Sequence, residues 1–372
     1  VVDRLAELAA AGLKRSLRPP AGIDLSSNDY LGLAIHPLVK RRMAEAVLRD
    51  GCGATASRLL RGERECFAAL ERRFAAFKRT EAALYFSSGY AASIGILTTF
   101  LEAGDVVFSD ELNHASLIDG LRLARARRII FPHRDVAALE SLLLEHERGS
   151  GQKFLVTESL FSMDGDKAPL AEYAALCRAH DTALIVDEAH AVGIYGARGS
   201  GLIEASQVDD DVFLSINTAG KALGVCGAFV AGPAWAIEYL VQRARPFIFS
   251  TAPPPAVAAA LDAALTIIAD EPQRRMQLMK NATLLRRLLS ENGVAIPAGD
   301  SQLIPVILGE SARAVAISTA LQARGFDVRP IRPPSVPPAT ARLRISVNAT
   351  LDEATLRRFA SALRIALDRH EL

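Results

Sequence analysis

The sequence predicts an α/β fold in which a mostly parallel sheet is covered by helices, followed by a smaller α+β domain and preceded by an N-terminal arm. Two observations predict it. From residue 82 onward, apolar runs of strand length alternate with longer helical spacers, the pattern of strands joined by crossover helices. The run Ala-Leu-Ile-Val at 183–186 is continuously apolar, as a strand buried on both faces should be, and is followed at once by Asp187, Glu188 and His190.

In chain order, residues 1–17 have an amphipathic helical pattern that two prolines at 19 and 20 should stop. A short extended piece carries SSNDYLGL (26–33), and a helical pattern returns over 38–49, ended by Asp50 and Gly51. The glycine-rich, basic GCGATASRLLRGE (51–63) is expected to be a loop. Strand-like runs follow at 82–86, 106–108, 128–131, 153–157, 183–186 and 212–216. TAPPP (251–255) punctuates the chain before a long helical stretch to about 292. Strand-like runs at 303–308 and 341–347 and a helix over 352–369 complete it. The expected division is an arm over 1–45, a large domain over 46–270 and a small domain over 271–372.

Composition narrows the function. The 372 residues are 50% hydrophobic and 23% charged, ordinary for a globular protein large enough to bury a sizeable core. Lys and Arg number 43 against 42 acids, and the net charge of +1 gives no reason to expect nucleic acid or an anionic membrane as partner. Cys52, Cys66, Cys177 and Cys226 lack metal-ligand spacing and fit a reducing cytoplasm better than a disulfide framework. The N-terminal stretch carries early acids, unlike a signal peptide, and no apolar run approaches the length of a membrane span. A cytoplasmic protein without a resident metal is expected.

The chemistry concentrates between DEAHAVG (187–193) and NTAGKALG (217–224). DEAH is also a helicase box, but the phosphate-cradling GxxxxGK[ST] run that a helicase needs is missing. An acid, a histidine and a lysine that converge on one sheet edge suit pyridoxal phosphate. Lys221 can hold that cofactor as a Schiff base, Asp187 can support its pyridinium nitrogen, and His190 lies three residues on. SSGY (87–90) falls where a strand passes into a helix, so the amides of Gly89 and Tyr90 mark an anion site; taken alone, Ser87 or Ser88 would serve equally as a helix cap. Thr218 adds a hydroxyl, His114 an imidazole able to stack on the cofactor ring, and Arg344, on one strand face with Arg342, a carboxylate clamp.

An ordered set of motifs then carries a resemblance over nearly the whole chain: SSNDYLGL (26–33), GATASRLLRGE (53–63), FSSGYAAS (86–93), LNHASLIDG (112–120), TESLFSMDGDKAPL (157–170), DEAHAVGIYGARGSG (187–201), TAGKALGVCGAFVAG (218–232), FIFSTAPPP (247–255) and IRPPSVPPATARLRIS (331–346). The sequence resembles the α-oxoamine synthase family of fold-type I pyridoxal-phosphate enzymes. The resemblance implies a seven-stranded sheet in the large domain and a homodimer with shared active sites. It makes Lys221 the cofactor lysine, Asp187 the pyridinium partner, His190 and Ser162 neighbours of the phenolic oxygen, and His114 the stacking histidine. It puts Ser88, Gly89, Tyr90 and Thr218 on the phosphate side, with Ser250 and Thr251 reaching the phosphate from the other subunit. Arg344 would meet the amino-acid substrate, Ser335 and Arg15 the acyl substrate, and Asn28 would also bind substrate. The chain departs from the family in being shorter between Pro20 and Leu25, and in having Cys226 where a serine is common.

The implied reaction is a decarboxylative condensation of an amino acid with an acyl thioester. The stretches 228–231 and 331–344 favour the branch that joins L-alanine to a pimeloyl thioester, on coenzyme A or a carrier protein. The alternatives are the sibling that joins glycine to an acetyl thioester, an ordinary aminotransferase, and an inactive homologue, which would be expected to have lost Lys221 or Asp187.

Overall fold

The computed structural model describes residues 2–10, 12–147, 149 and 151–370. The chain forms two compact units, one of Gly32–Phe161 and Lys167–Arg275, the other of Val1–Leu31, Ser162–Asp166 and Met276–Leu372. The breaks therefore fall at 31/32 and 275/276, where the sequence division had 45/46 and 270/271, and five residues after Phe161 belong with the second unit. The strands are β1 (Ile23–Asp24), β2 (Ala82–Phe86), β3 (Val106–Asp110), β4 (Arg127–Phe131), β5 (Lys153–Glu158), β6 (Thr182–Asp187), β7 (Val212–Thr218), β8 (Ala228–Gly232), β9 (Leu303–Gly309), β10 (Phe326–Asp327), β11 (Pro330–Ile331) and β12 (Ala341–Ser346).

The larger unit is built on a seven-stranded sheet of order β2-β8-β7-β6-β5-β3-β4. Strands β4, β3, β5, β6 and β7 are mutually parallel, and β8 runs antiparallel to both β7 and β2. Sequence reading missed β8: its Ala-Phe-Val-Ala-Gly is short and buried at every position, so no polar alternation marks it. Successive residues of β8 serve opposite faces. Phe229 stacks on Phe74 of the helix Glu65–Lys78, with ring centroids 3.9 Å apart, whereas Ala228 and Val230 join the apolar core that includes Ile96 and Leu97 of the helix Gly89–Phe100. Helices thus cover both faces, and the sheet's carboxyl edge is where polar groups can gather.

A buried ion pair anchors the loop at that edge. Lys78 Nζ lies 2.7 Å from Glu188 Oε2 and donates to Ser200 O at 2.6 Å. The other oxygen, Glu188 Oε1, accepts from the Leu202 and Ile203 amides at 2.7 and 3.1 Å. Both side chains are almost fully buried. The loop between β6 and the helix Leu202–Ala205 is therefore tied at both ends through one carboxylate. The loop 51–63 contains one helical turn, Arg58–Gly62, whose Arg58 is buried against Glu71 at 2.8 and 3.1 Å.

In the smaller unit, β9, β12 and β11 form an antiparallel sheet of order β11-β12-β9, and β1 pairs in parallel with β10. The helices Ser311–Gln322 and Glu353–Asp368 belong to this unit, and the chain enters it within the helix Gln273–Glu291. The long helix expected from 255 to 292 is two helices, Pro255–Asp270 and Gln273–Glu291, parted at Pro272, which cannot donate a backbone hydrogen bond. The N-terminal helix is Val2–Ala10, shorter than the expected 1–17; the chain leaves it through Gly12 at φ +66°, before the prolines. Residues 1 and 11 of that expected arm lie outside the described residues.

Removing one partner of a buried ion pair leaves the other charge stranded, at a cost of about 3–5 kcal/mol. Lys78→Met is therefore expected to lower the denaturant midpoint of the cofactor-free protein strongly. Lys78→Met paired with Glu188→Gln should recover part of the loss. A single variant within about 0.5 kcal/mol of the parent would show that the pair carries no structural load.

Candidate active site

Three parallel strands end side by side. In the ladder, Glu158 of β5 stands opposite Asp187 of β6, and Asp187 opposite Ile216 of β7. Backbone bonds continue the alignment past the strand ends: Ser159 N donates to Asp187 O at 2.9 Å and Glu188 N to Ile216 O at 2.7 Å. β7 then runs through Thr218 into the turn that carries Lys221, closed by Gly224 N donating to Lys221 O at 2.8 Å. Gly224 sits at φ +70°, and a Cβ there would lie 2.4 Å from Ala34 N, so this turn requires glycine.

Lys221 Nζ is 2.8 Å from His190 Nε2. Asp187 is buried, and its Oδ1 accepts from Ala189 N at 2.8 Å. Burial pushes the Asp187 carboxyl above its ordinary pKa, and the nearby Lys221 ammonium opposes that shift. Glu158 is buried beside it, and Oε1 has no hydrogen-bond partner among the described residues. Burial first, and then the Asp187 charge, push the Glu158 carboxyl well above its ordinary value. The site is thus a pair of buried carboxyls facing one lysine.

His114 opens the helix Ala115–Leu123. Its Nδ1 accepts from Ser116 N at 3.2 Å, which assigns the ring proton of the neutral imidazole to Nε2. Burial holds its pKa below the ordinary histidine value, with Asp187 opposing and Lys221 reinforcing the effect, so the ring is neutral at pH 7. The preceding Asn113 donates to Val156 O at 2.8 Å and accepts from Glu158 N at 3.1 Å, fastening the His114 loop to the end of β5.

At the phosphate-side motif, Ser88 is the N-cap of Gly89–Phe100, its Oγ accepting from Ala91 N at 3.0 Å. A Cβ on Gly89 would come within 2.6 Å of Thr218 Oγ1, so the helix start and Thr218 face each other across a space that only glycine leaves open. The Tyr90 side chain points away into solvent, its hydroxyl donating to Asp119 Oδ2 at 2.9 Å, which leaves its backbone amide as the group available to an anion. Ser250 and Thr251 line, with Arg58 and Ser87, a small hollow of about 10 Å³.

The remaining predicted residues belong to the smaller unit. Arg344 Nη2 donates to Asn28 Oδ1 at 2.7 Å and to Ser346 Oγ at 3.3 Å, while its buried Nε has no partner among the described residues. Asn28 Oδ1 also accepts from the Tyr30 hydroxyl at 3.0 Å. Arg342, on the same strand face, is committed to Asp164 at 2.5 Å and to Thr340 O. One of the two strand arginines is therefore structural and the other keeps a free edge. Arg15 Nη2 lies 3.4 Å from Ser335 Oγ, and Ser162 is buried.

Comparison with known proteins decides the family. The chain matches the sequence model of the family "Aminotransferase class I and II" over residues 20–363. It is 47% identical to the 8-amino-7-oxononanoate synthase of Geobacter sulfurreducens, over 98% of this chain and 96% of that one. The chain belongs to the 8-amino-7-oxononanoate synthase family. The synthase of Marinobacter nauticus is 43% identical over 95% of this chain and 92% of its own. Among solved structures, a serine palmitoyltransferase from S. paucimobilis, determined with pyridoxal phosphate and myriocin bound, superposes with a TM-score of 0.92 at 28% identity, covering 99% of this chain and 97% of that one. The 8-amino-7-oxononanoate synthase of Francisella tularensis superposes with a TM-score of 0.80 at 26% identity, covering 94% and 98%. The family and the α/β fold expected from the motifs are borne out.

Sequence reading missed Glu158, Asn113 and the Lys78–Glu188 pair. Glu158 carried a signal, since it ends an apolar strand just as Asp187 does. Among the described residues no group of three His, Cys, Asp or Glu side chains could hold a metal ion, and no helix is long and apolar enough to cross a membrane.

The elevated Glu158 pKa has a defined sign. Between its ordinary value of 4.5 and the higher folded value, the folded chain keeps a proton that the unfolded chain has lost, so stability falls as pH rises through that window. Glu158→Gln removes this term. In the cofactor-free protein, the Tm of Glu158→Gln minus that of the parent should grow between pH 4.5 and pH 7; parallel Tm-against-pH curves would refute the assignment.

Proposed function

We propose that the chain catalyses decarboxylative condensation of L-alanine with a pimeloyl thioester, giving 8-amino-7-oxononanoate, carbon dioxide and the free thiol, as a step of biotin biosynthesis. The observation that carries this reading is the Lys221 amine held by His190 beside the buried Asp187 carboxyl, in a chain of this family. The cofactor is pyridoxal phosphate, and the donor set fits it. Lys221 supplies an amine for its aldehyde, and a buried acid awaits its protonated ring nitrogen. The glycine-lined start of the helix Gly89–Phe100, with Thr218 opposite, leaves room for its phosphate, whose charge the helix amides favour. When bound, the cofactor supplies an electron-accepting pyridinium ring that stabilises negative charge at the α-carbon of the attached amino acid.

The chain's own groups do the rest. Asp187 uses Oδ1 to accept from Ala189 N, which fixes the plane of its carboxylate toward a cationic partner. A positive charge there offsets the burial that raises its pKa. Lys221 Nζ, in its neutral form, takes the α-proton of alanine and later returns one to the product, while His190 Nε2 keeps that nitrogen in place. His114, neutral and with its proton on Nε2, can donate to the thioester carbonyl oxygen as charge develops on it. Ser162 adds a hydroxyl for the cofactor. The partnerless Nε edge of Arg344 receives the alanine carboxylate, with Asn28 holding the other side of the guanidinium; that carboxylate then leaves as carbon dioxide.

The same reading makes the enzyme a cytoplasmic homodimer in which Ser250 and Thr251 reach the phosphate of the neighbouring subunit's site. Exposed Leu59, Leu60 and Phe249 support it, because they lie on or beside two adjoining helical turns, Arg58–Gly62 and Arg245–Ile248, and give a partner apolar surface to cover. The free cysteines, Cys177 buried among them, suit a reducing compartment.

Cofactor-loaded protein should release thiol with L-alanine and pimeloyl-CoA and be far slower with glycine and acetyl-CoA. Lys221→Ala should lose roughly 10²–10⁴-fold or more of that turnover, the usual contribution of a positioned proton acceptor. Arg344→Lys should raise the KM for alanine by roughly 10- to 100-fold, the cost of about 1.5–3 kcal/mol for charge-assisted hydrogen bonds. Preference for glycine and acetyl-CoA would assign the sibling reaction instead.

A further inference from the structure

Glu158 is a buried titratable group at the catalytic edge that the proposed condensation leaves unused. The ladder fixes the face it occupies. Along β5, Phe154 and Val156 join the apolar core that also holds Ile185 of β6 and Leu117 and Leu121 of the helix Ala115–Leu123. Side chains alternate along a strand, so Glu158 follows Val156, and Asp187 follows Ile185, onto that same face. The helix that His114 opens covers this face. Glu158, Asp187 and His114 therefore gather on one side of the sheet, just past the last apolar layer.

Four neighbours surround the Glu158 carboxyl. Asp187 acts on it from β6, Lys221 from the turn after β7, the His114 amide from the helix start and Asp110 from the end of β3. Asp110 is already met by His133 Nδ1 and by the Leu112 and Arg134 amides, each at 2.9 Å. Of these four, Lys221 is the cation, and its charge acts on Glu158 and Asp187 alike. Two buried acids thus depend on one positive charge, and in such a setting both cannot ionise. Their hydrogen bonds decide which one does. Asp187 Oδ1 accepts from the Ala189 amide at 2.8 Å, a bond that favours its carboxylate form. Glu158 Oε1 is buried with no partner among the described residues, a state that costs a hydroxyl far less than a negative charge.

We propose that Glu158 is a positioning residue that works as a neutral carboxylic acid, keeping its proton while Asp187 carries the charge that meets the ring nitrogen of the cofactor, and fastening the His114 loop. This inference rests on the proposed condensation and deepens it. The fastening is double: the Glu158 amide donates to Asn113 Oδ1 at 3.1 Å, and the carboxyl faces the His114 amide. The charge state matters for Lys221. A second buried negative charge would hold a proton on the Lys221 amine, and an ammonium takes no proton from alanine. A neutral Glu158 leaves that amine neutral and able to act as a base.

The test uses the pyridoxal-phosphate-loaded protein, and its first readout needs no substrate. Infrared spectra of the loaded parent at pH 7 should contain the carbonyl band of a protonated carboxyl that is missing from loaded Glu158→Gln. Parent and variant spectra that do not differ in such a band would overturn the proposal, since Glu158 would then be charged. The second readout is kinetic, with L-alanine and pimeloyl-CoA. Glu158→Leu, of similar size but without a hydrogen-bonding group, should lower kcat roughly tenfold or more while leaving the KM for alanine nearly unchanged. Glu158→Gln, neutral and still able to accept from the His114 amide, should recover most of that loss and keep the shape of the parent's kcat-against-pH profile.

A glutamine variant as slow as the leucine variant would show that a charge is needed at this position and would overturn the proposal. A leucine variant as fast as the parent would overturn it as well. The infrared comparison needs only the isosteric glutamine variant, so it stands even where the leucine variant does not fold. A parent that releases no thiol with L-alanine and pimeloyl-CoA would count against the condensation itself, while the infrared band would still decide the state of Glu158.

Discussion

The side-by-side endings of β5, β6 and β7 are the constraint on which the site depends. Because Glu158, Asp187 and Ile216 are neighbours in the ladder, two acids and the approach to Lys221 reach the same edge without any loop having to search for the others. A slip of one residue would send Asp187 to the opposite face of the sheet, away from Lys221. The apolar residues that fix the register, Leu184, Ile185 and Val186 on β6 with Leu155 and Val156 on β5, are all fully buried. Packing energy in the core is thereby converted into positional accuracy at the edge.

That edge is expensive to build. Two carboxyls lie in a low-dielectric setting with one lysine acting on both, and their raised proton affinities express the cost. Elsewhere at the same edge the protein meets a buried carboxylate differently: Glu188, one residue from Asp187, is matched by Lys78 and two amides. The contrast separates roles. Glu188 is satisfied and holds a loop, while Glu158 keeps an oxygen without a partner among the described residues and Asp187 lies near the amine that a cofactor would engage. The same contrast recurs on β12, where Arg342 is spent on Asp164 and Arg344 keeps an Nε with no partner among the described residues.

Much of this could be read from the chain. The continuously apolar strands and the acid, histidine and lysine at their carboxyl ends were visible because parallel strands buried on both faces have no polar alternation, so a charge at the end stands out. β8 escaped because it is made of small and apolar residues between glycines, where periodicity says nothing. The N-terminal helix was drawn too long because its amphipathic pattern runs past Gly12. Spacing placed Arg342 and Arg344 on one face but could not say which was already paired, since Asp164 and Asn28 come from segments distant in sequence. Glu158 needed the register, a long-range fact, to be seen as the neighbour of Asp187.

The central claim is that Lys221, held by His190 at this edge, is the residue that carries the cofactor. Borohydride reduction of the pyridoxal-phosphate-loaded protein, followed by proteolysis and mass spectrometry, tests it most directly. The account predicts the reduced phosphopyridoxyl group on the peptide containing Lys221 and its loss in Lys221→Ala. The same label fixed on another lysine, with Lys221 unmodified, would contradict it.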